Sequence, residues 1–324
     1  VGDGYVLTAA DKAHFTSDSG NYRVKYDGGN SRMLLVSTEH VAHPICGASC
    51  ADGAHTEEAY WHGISDLSAI KTPGNYYLTK DIELTDTWTP VYGVVLCLNG
   101  HSITSKAYNT INVKANCSLT LTDCNRSGEG NGKLKHAVDP NNSAYFISGN
   151  AVYVVKDGIF VLYGGTITEN NADYGGGVYV KSGTFNMYGG SIKKNTSDGG
   201  SGAGVYVEKS GTFNMKNTAS VTGNTIGYGS TAGYGAGVYV NGGTFEMRNS
   251  ASVKDNTANN ISGSSGGGVY VNSGGTFKMH DDASVTGNKA KSGGGVYVSI
   301  SGKDRKFEMN DNASVTGNKA TGDN

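Results

Sequence analysis

Gly266-Gly267-Gly268-Val269-Tyr270-Val271-Asn272-Ser273-Gly274-Gly275-Thr276-Phe277-Lys278-Met279-His280-Asp281-Asp282-Ala283-Ser284-Val285-Thr286-Gly287-Asn288 is the stretch that decides the fold. Val-Tyr-Val and Phe-Lys-Met each alternate with a period of two, which is strand behaviour. No i, i+3, i+4, i+7 stripe is sustained between the glycine clusters, so a helical reading fails. The same register recurs through the second half of the chain. V-Y-V begins at Val152, Val178, Val205, Val238, Val269 and Val296. The aromatic that follows is Phe160, Phe185, Phe213, Phe245, Phe277 or Phe307, and Leu162, Met187, Met215, Met247, Met279 or Met309 comes two residues later. Each copy then carries Ile167, Ile192, Val221, Val253, Val285 or Val315, and three positions on Asn170, Asn195, Asn224, Asn256, Asn288 or Asn318. Successive Asn residues are 25 to 32 positions apart.

Repeats of this period call for an architecture in which each unit stacks on the last. A propeller blade needs about 40 residues and four strands, and a leucine-rich repeat needs Leu at fixed positions. Three short strands per unit fit an all-β, three-sided parallel β-helix, one coil per repeat, with coils about 4.8 Å apart. The Phe and Met of each strand then point inward, as do both Val of V-Y-V, which places the Tyr outside. The Asn forms an internal ladder at a corner. Glycine runs such as Gly175-Gly176-Gly177 permit the turn into V-Y-V. Coil-length differences fall between Asn and V-Y-V, as in the segment from Thr225 to Tyr234, so those loops project from one edge.

Gly74-Asn75-Tyr76-Tyr77-Leu78-Thr79-Lys80-Asp81-Ile82, followed by Val94-Val95-Leu96-Cys97-Leu98-Asn99-Gly100-His101-Ser102-Ile103, resembles the opening of pectate-lyase-like right-handed β-helix proteins. The G-G-x-V and I/V-x-x-N repeats are similar to the polymorphic outer-membrane-protein type repeat, with Val or Ile where that family has Phe. The resemblance covers roughly residues 74 to 320. It implies a right-handed, single-stranded β-helix, a scaffold that carries adhesins, lyases and glycosidases alike. The expected organisation is a partly extended N-terminal segment over 1–39, a small Cys/His-stabilised segment and cap over 40–73, and the β-helix over 74–324. Residues 126 to 143 interrupt the coils, either as a surface decoration or as a functional loop.

Composition narrows the function. Of 324 residues 50 are Gly and 4 Pro, and 26 Lys plus Arg against 28 Asp plus Glu leave a net charge of −2. A nucleic-acid binder relying on bulk charge leaves a basic footprint, which is missing. The run Val94-Val95-Leu96-Cys97-Leu98 is far too short to span a bilayer. Val1 is not an initiator Met, so the chain is expected to be a processed or excised piece that continues past Asn324. In that reading Val296, Val298, Phe307, Met309 and Val315 face an open last coil, and the fragment associates end to end or frays there.

The densest chemical constellation precedes the β-helix. His43, Cys46, Cys50 and His55 read H-x2-C-x3-C-x4-H within a Gly/Ala/Ser-rich stretch. Two thiolates and two imidazoles make a closed tetrahedral set suited to structural Zn²⁺, and His40 or His62 can replace one ligand. A Cys46–Cys50 disulfide is the alternative in an extracellular chain. Of the other cysteines, Cys97, Cys117 and Cys124, the second shares strand parity with Leu119 and Leu121 and is expected in the core. None has a His/Asp setting that suggests a nucleophile.

The second candidate is the outward column Tyr153, Tyr179, Tyr206, Tyr239, Tyr270 and Tyr297, an aromatic stripe roughly 24 Å long. It either binds sugar rings or stabilises its own face by stacking. Catalytic residues are not identifiable. Glu246 and Glu308 lie two coils apart with Lys278 between them, which reads as cross-strand charge pairing. Asp281, Asp282 and Asp311 read as a solvated corner. Trp61, Asp66, Asp81, Asp86 and Trp88 either line a sugar cleft or, for the two Trp, cap the core. The expected function is a secreted or cell-surface β-helix module, stalk- or adhesin-like, that binds glycans or a host surface. A glycoside hydrolase or polysaccharide lyase on the same scaffold is the alternative.

Overall fold

The computed structural model of the chain describes residues 22–27, 32–37 and 61–322, the last range apart from 124–131, 140–141, 147, 199, 228–232, 260–262, 273 and 300–305. The alternating segments form three parallel sheets wound into a β-helix. The tyrosine face has seven strands from Ile111–Val113 to Val296–Val298, and the phenylalanine face has ten from Trp61–Ile64 to Lys306–Met309. The third face has nine, from Ile82–Leu84 to Ser314–Thr316. Registers are the repeat itself: Tyr239 pairs with Tyr270, Phe245 with Phe277 and Val253 with Val285. Trp61–Ile64 already pairs in parallel with Gly74–Leu78, so the phenylalanine face begins before Gly74.

A fourth ladder runs beside the asparagine corner. Thr196–Ser197, Thr225–Ile226, Thr257–Ala258, Lys289–Ala290 and Lys319–Ala320 pair in parallel as two-residue strands. Two residues show no alternation, which is why the sequence pattern does not reveal them. Ile226, Ala258 and Ala290 turn inward there and pack with Ala203 and Ala236 as a small second core.

The main core is a set of ladders. Phe160, Phe185, Phe213, Phe245 and Phe277 are fully buried. From Phe160 to Phe307 the rings stack at 4.7–5.1 Å with interplanar angles of 2–18°. At the corner each Asn Nδ2 donates to the next Asn Oδ1 at 2.8–2.9 Å, from Asn170 through Asn318. The same amide also donates to a strand carbonyl, as Asn224 does to Ile192 at 3.0 Å. Buried amides are tolerated only when so satisfied. The residue before each Asn takes a left-handed conformation, whether Gly223 (φ 61°) or Lys194 (φ 54°).

Two different constraints select the glycine runs that lead into V-Y-V. Gly175, Gly202, Gly235, Gly266 and Gly293 have φ of 54–67°, a region that disfavours side chains. Two residues on, a Cβ added to Gly204 would lie 2.5 Å from the Gly237 carbonyl oxygen, so the coils meet there backbone to backbone.

Residues Tyr22–Asp27 and Arg32–Ser37 form an antiparallel pair. Asn142–Phe146 pairs antiparallel with Val138–Asp139, within the interruption of the coils. The Asp123 carboxylate accepts from the backbone N–H groups of Gly100 and Gly132 at 2.8 and 2.7 Å and ties the base of that interruption to the preceding coil. His40, His43, Cys46, Cys50, His55 and Cys124 lie outside the described residues. Cys97 is fully buried. Cys117 packs against the main core, as expected, but from the turn before Ser118–Thr122 it is only half-buried. In the last coil Val296, Val298, Phe307 and Val315 are half-buried and Met309 is 49% exposed. Among the described residues no helix is long and apolar enough to cross a membrane.

Candidate functional site

The tyrosine column stands outside the prism, as V-Y-V alternation dictates, but it is not an open stripe. Tyr206, Tyr239 and Tyr270 are each only 7% exposed, while Tyr153, Tyr179 and Tyr297 are half-buried. Successive rings lie 4.9–5.2 Å apart. Rings from the glycine-rich edge close over them: Tyr174 packs on Tyr206 at 5.3 Å and Tyr234 on Tyr270 at 4.8 Å. The residue two positions after Tyr206, Tyr239 and Tyr270 reaches back one coil to a hydroxyl. Tyr179 donates to Glu208 at 3.0 Å, and Tyr206 and Tyr239 accept from the amides of Asn241 and Asn272 at 2.8 Å. Burial pushes the hydroxyls of Tyr179, Tyr206, Tyr239 and Tyr270 above the usual phenol range. The middle of the column therefore braces the scaffold, and a flat sugar-binding platform along all six rings is not what the chain builds.

The column begins at Asn112, which pairs with Tyr153 and places no ring beneath it. At this end a cleft of about 390 Å³ opens, lined by Tyr108, Asn109, Asn150, Tyr153, Asp173, Tyr174 and Tyr179. Tyr108 and Tyr174 are 67% and 51% exposed, so two rings face solvent at its edges, Tyr174 with one side packed on Tyr206. Tyr153 and Tyr179 meet edge to face at 5.1 Å in its wall.

Backbone contacts hold this geometry. Asn150 Nδ2 donates to the carbonyls of Tyr174 and Gly175 at 2.5 and 2.6 Å, which fixes the strand entry that carries Tyr174. On the other side, a Cβ added to Gly149 would fall 1.2 Å from the Tyr108 carbonyl oxygen, so only glycine allows these two segments to meet. Behind Tyr108, the buried His136 ring contacts the Ala107 carbonyl at 2.9 Å and the Asn170 amide oxygen at 2.8 Å. Unsatisfied polar atoms gather in the same coils. The buried side-chain oxygens of Asn109, Thr110, Asn112 and Asn171 have no hydrogen-bond partner. Such atoms are uncommon in folded proteins and mark places where a ligand or solvent completes the bonding.

Of the sequence-predicted tyrosines, this cleft brings together Tyr153 and Tyr179. Tyr206, Tyr239, Tyr270 and Tyr297 lie further along the column. Tyr108, Asn109, Asn150, Asp173 and Tyr174 are additions that the repeat pattern does not reveal. For Tyr174 a signal exists: Tyr-Gly precedes the glycine run both there and at Tyr234, and both belong to one bridged column with Ser201 and Ser265.

A second cleft, of about 400 Å³, lies near the N-terminal coils between Asp66, Leu67, Ser68, Glu83, Leu84, Thr85, Asp86, Thr87 and Trp88. Trp88 both lines it and packs partly on the core. Its carboxylates are engaged: Asp66 accepts from the Ser68 N–H at 2.8 Å, and Glu83 pairs with Lys106 at 3.1 Å. The Ser68 bond holds Asp66 below the usual carboxylate range. A glycosidic general acid needs the opposite shift.

The regular coils carry charge pairs where the alternative reading would need an acid and a base. Lys278 lies 3.6 Å from Glu308, and Glu246 is held by Arg248. Asp281 and Asp311 cap a corner, the Asp311 carboxylate accepting from the Asp281 N–H at 3.0 Å. Among the described residues no group of three His, Cys, Asp or Glu converges as a metal site. No family model, curated protein or solved structure matches the chain significantly.

Proposed function

We propose that the chain is a secreted or cell-surface β-helix module, stalk- or adhesin-like, that binds glycans in the cleft between Tyr108 and Tyr174. The observation that carries this reading is the coincidence of two exposed rings with the polar side chains of Asn109, Asn150 and Asp173 in one cleft. A sugar ring has apolar C–H faces and a polar edge, and aromatic side chains with a few convergent polar atoms match both. The monotony of the remaining coils suits a stalk that displays this site. The likeness of its opening and repeats to pectate-lyase-like and polymorphic outer-membrane-protein type sequences supports a surface role. In the second cleft Asp66 is held by a backbone N–H and Glu83 by Lys106, and in the regular coils Glu246 and Glu308 pair with Arg248 and Lys278, which disfavours a glycosidase. An oligosaccharide array tests the proposal: the native chain is expected to retain defined glycans, and Tyr108→Ala with Tyr174→Ala to lose them. Release of reducing ends from a retained glycan would replace it with the enzyme reading.

The H-x2-C-x3-C-x4-H spacing supports a further proposal, that His43, Cys46, Cys50 and His55 hold a structural zinc ion. Metal analysis of chelator-free protein should then return one zinc per chain, whereas metal-free protein with a Cys46–Cys50 disulfide would end it.

A further inference from the structure

Electrostatics and hydrogen bonding in the tyrosine cleft are one-sided. Of the described residues that line it, Asp173 bears the one formal charge, and no Lys, Arg or His contributes. Asp173 is exposed, and its main chain is anchored by its carbonyl, which accepts from Ser197 Oγ and the Ser201 N–H, both at 2.9 Å. The amide polarity points the same way. Asn109 presents a buried oxygen with no donor, and Asn150 has committed its amide nitrogen to the Tyr174 and Gly175 carbonyls. Four tyrosine rings complete the wall, each with a negative face. A cleft of π-faces with one carboxylate and no cationic side chain among the described residues suits a cation and repels an anion.

Resting on the glycan reading, we propose that the cleft recognises an amino sugar through its free ammonium group, with Asp173 as the specificity-determining residue. The ammonium supplies three donors and a charge, which meet the Asp173 carboxylate and the tyrosine faces. The pyranose body rests on the exposed rings. N-acetylation removes the charge, and a uronate replaces it with one that Asp173 and the ring faces both repel.

Isothermal titration of the full chain with glucosamine oligomers, their N-acetylated counterparts and oligogalacturonate tests this. Glucosamine oligomers are expected to bind about tenfold more tightly than the acetylated series, a factor typical of one partly exposed cation–π and ion-pair contact. Oligogalacturonate is expected not to bind. Asp173→Asn should erase the preference by lowering glucosamine affinity about tenfold, and raising pH through the amine's titration should weaken glucosamine binding in the native chain alone. Equal binding of both series, unaffected by Asp173→Asn, would overturn the ammonium assignment and leave the glycan reading standing. Binding of none of the three, with a positive array result for another sugar, would do the same. Binding of free choline or a lysine peptide in place of all sugars would overturn both.

Discussion

The His136 imidazole meets the Asn170 side-chain oxygen at 2.8 Å and closes the first rung of the asparagine ladder. Asn170 directs its Nδ2 at Thr168, Leu134 and Asn195 oxygens, so its own oxygen faces the ring and His136 Nδ1 donates. The other ring nitrogen lies 2.9 Å from the Ala107 carbonyl, beside the lip residue Tyr108. Those acceptors favour the charged ring, but His136 is 1% exposed, and desolvation outweighs them and pushes its pKa down.

A pH dependence follows. The unfolded chain takes up the His136 proton near the ordinary pKa of about 6.5, while the folded chain resists it to lower pH. Stability from this residue is therefore fully present above about pH 6.5 and declines as pH falls through the folded-state pKa. Thermal unfolding between pH 7.5 and 5 should show a steeper decline for the native chain than for His136→Asn. Parallel curves would show that the ring does not titrate on unfolding.

Removal of one internal amide should be expensive. Asn224→Ala strips the acceptor from the Asn195 N–H and Nδ2, and the donor from Ile192 and Asn256 oxygens. At 1–3 kcal/mol for each buried group left unsatisfied, a loss of about 3 kcal/mol or more is expected. Asn224→Asp should cost at least as much, because a carboxylate there faces two acceptors. Urea unfolding measures both, and a change within experimental scatter would mean that water replaces the amide.

The phenylalanine ladder predicts a position effect. Phe245 is fully buried between Phe213 and Phe277, so Phe245→Ala should cost about 3–5 kcal/mol. Phe307 is half-buried and stacks on Phe277, so Phe307→Ala should cost clearly less. Equal losses in chemical denaturation would imply that the last coil is as well covered as the middle.

One surface change should stabilise. Lys194 is exposed and holds φ at 54°, where equivalent corners use Gly223, Gly287 and Gly317. Relief of the left-handed strain exceeds the entropy that glycine adds to the unfolded chain, so Lys194→Gly should gain up to about 1 kcal/mol. A lower melting temperature would show that the lysine makes a compensating contact.

How far the sequence reached depends on what repetition encodes. V-Y-V and Phe-x-Met (Phe-x-Leu in the first copy) recur in each coil from Val152 onward, so periodicity alone places Phe245 inside, Tyr239 outside and Asn224 at a corner, as the structure has them. The two-residue ladder at Thr225–Ile226 carries no period and was invisible. The accessibility of the tyrosine column was equally hidden, because it depends on Tyr174 and Tyr234 folding over it from loops of irregular length. The cleft arises where repetition fails. Asn112 stands at the head of the tyrosine column, and Tyr108 and Asn109 precede the first V-Y-V copy. A pattern-based reading finds ladders readily and finds the interruptions that end them only with difficulty.

Backbone hydrogen exchange with and without a saturating glucosamine oligomer tests the glycan-binding claim most directly, since it locates the ligand without a mutation. The account predicts added protection at residues 107–112, 149–153 and 173–179, three segments from different coils that meet in the tyrosine cleft. Protection confined to the N-terminal cleft around Asp66, Glu83 and Trp88, or to the regular coils beyond Tyr206, would contradict it.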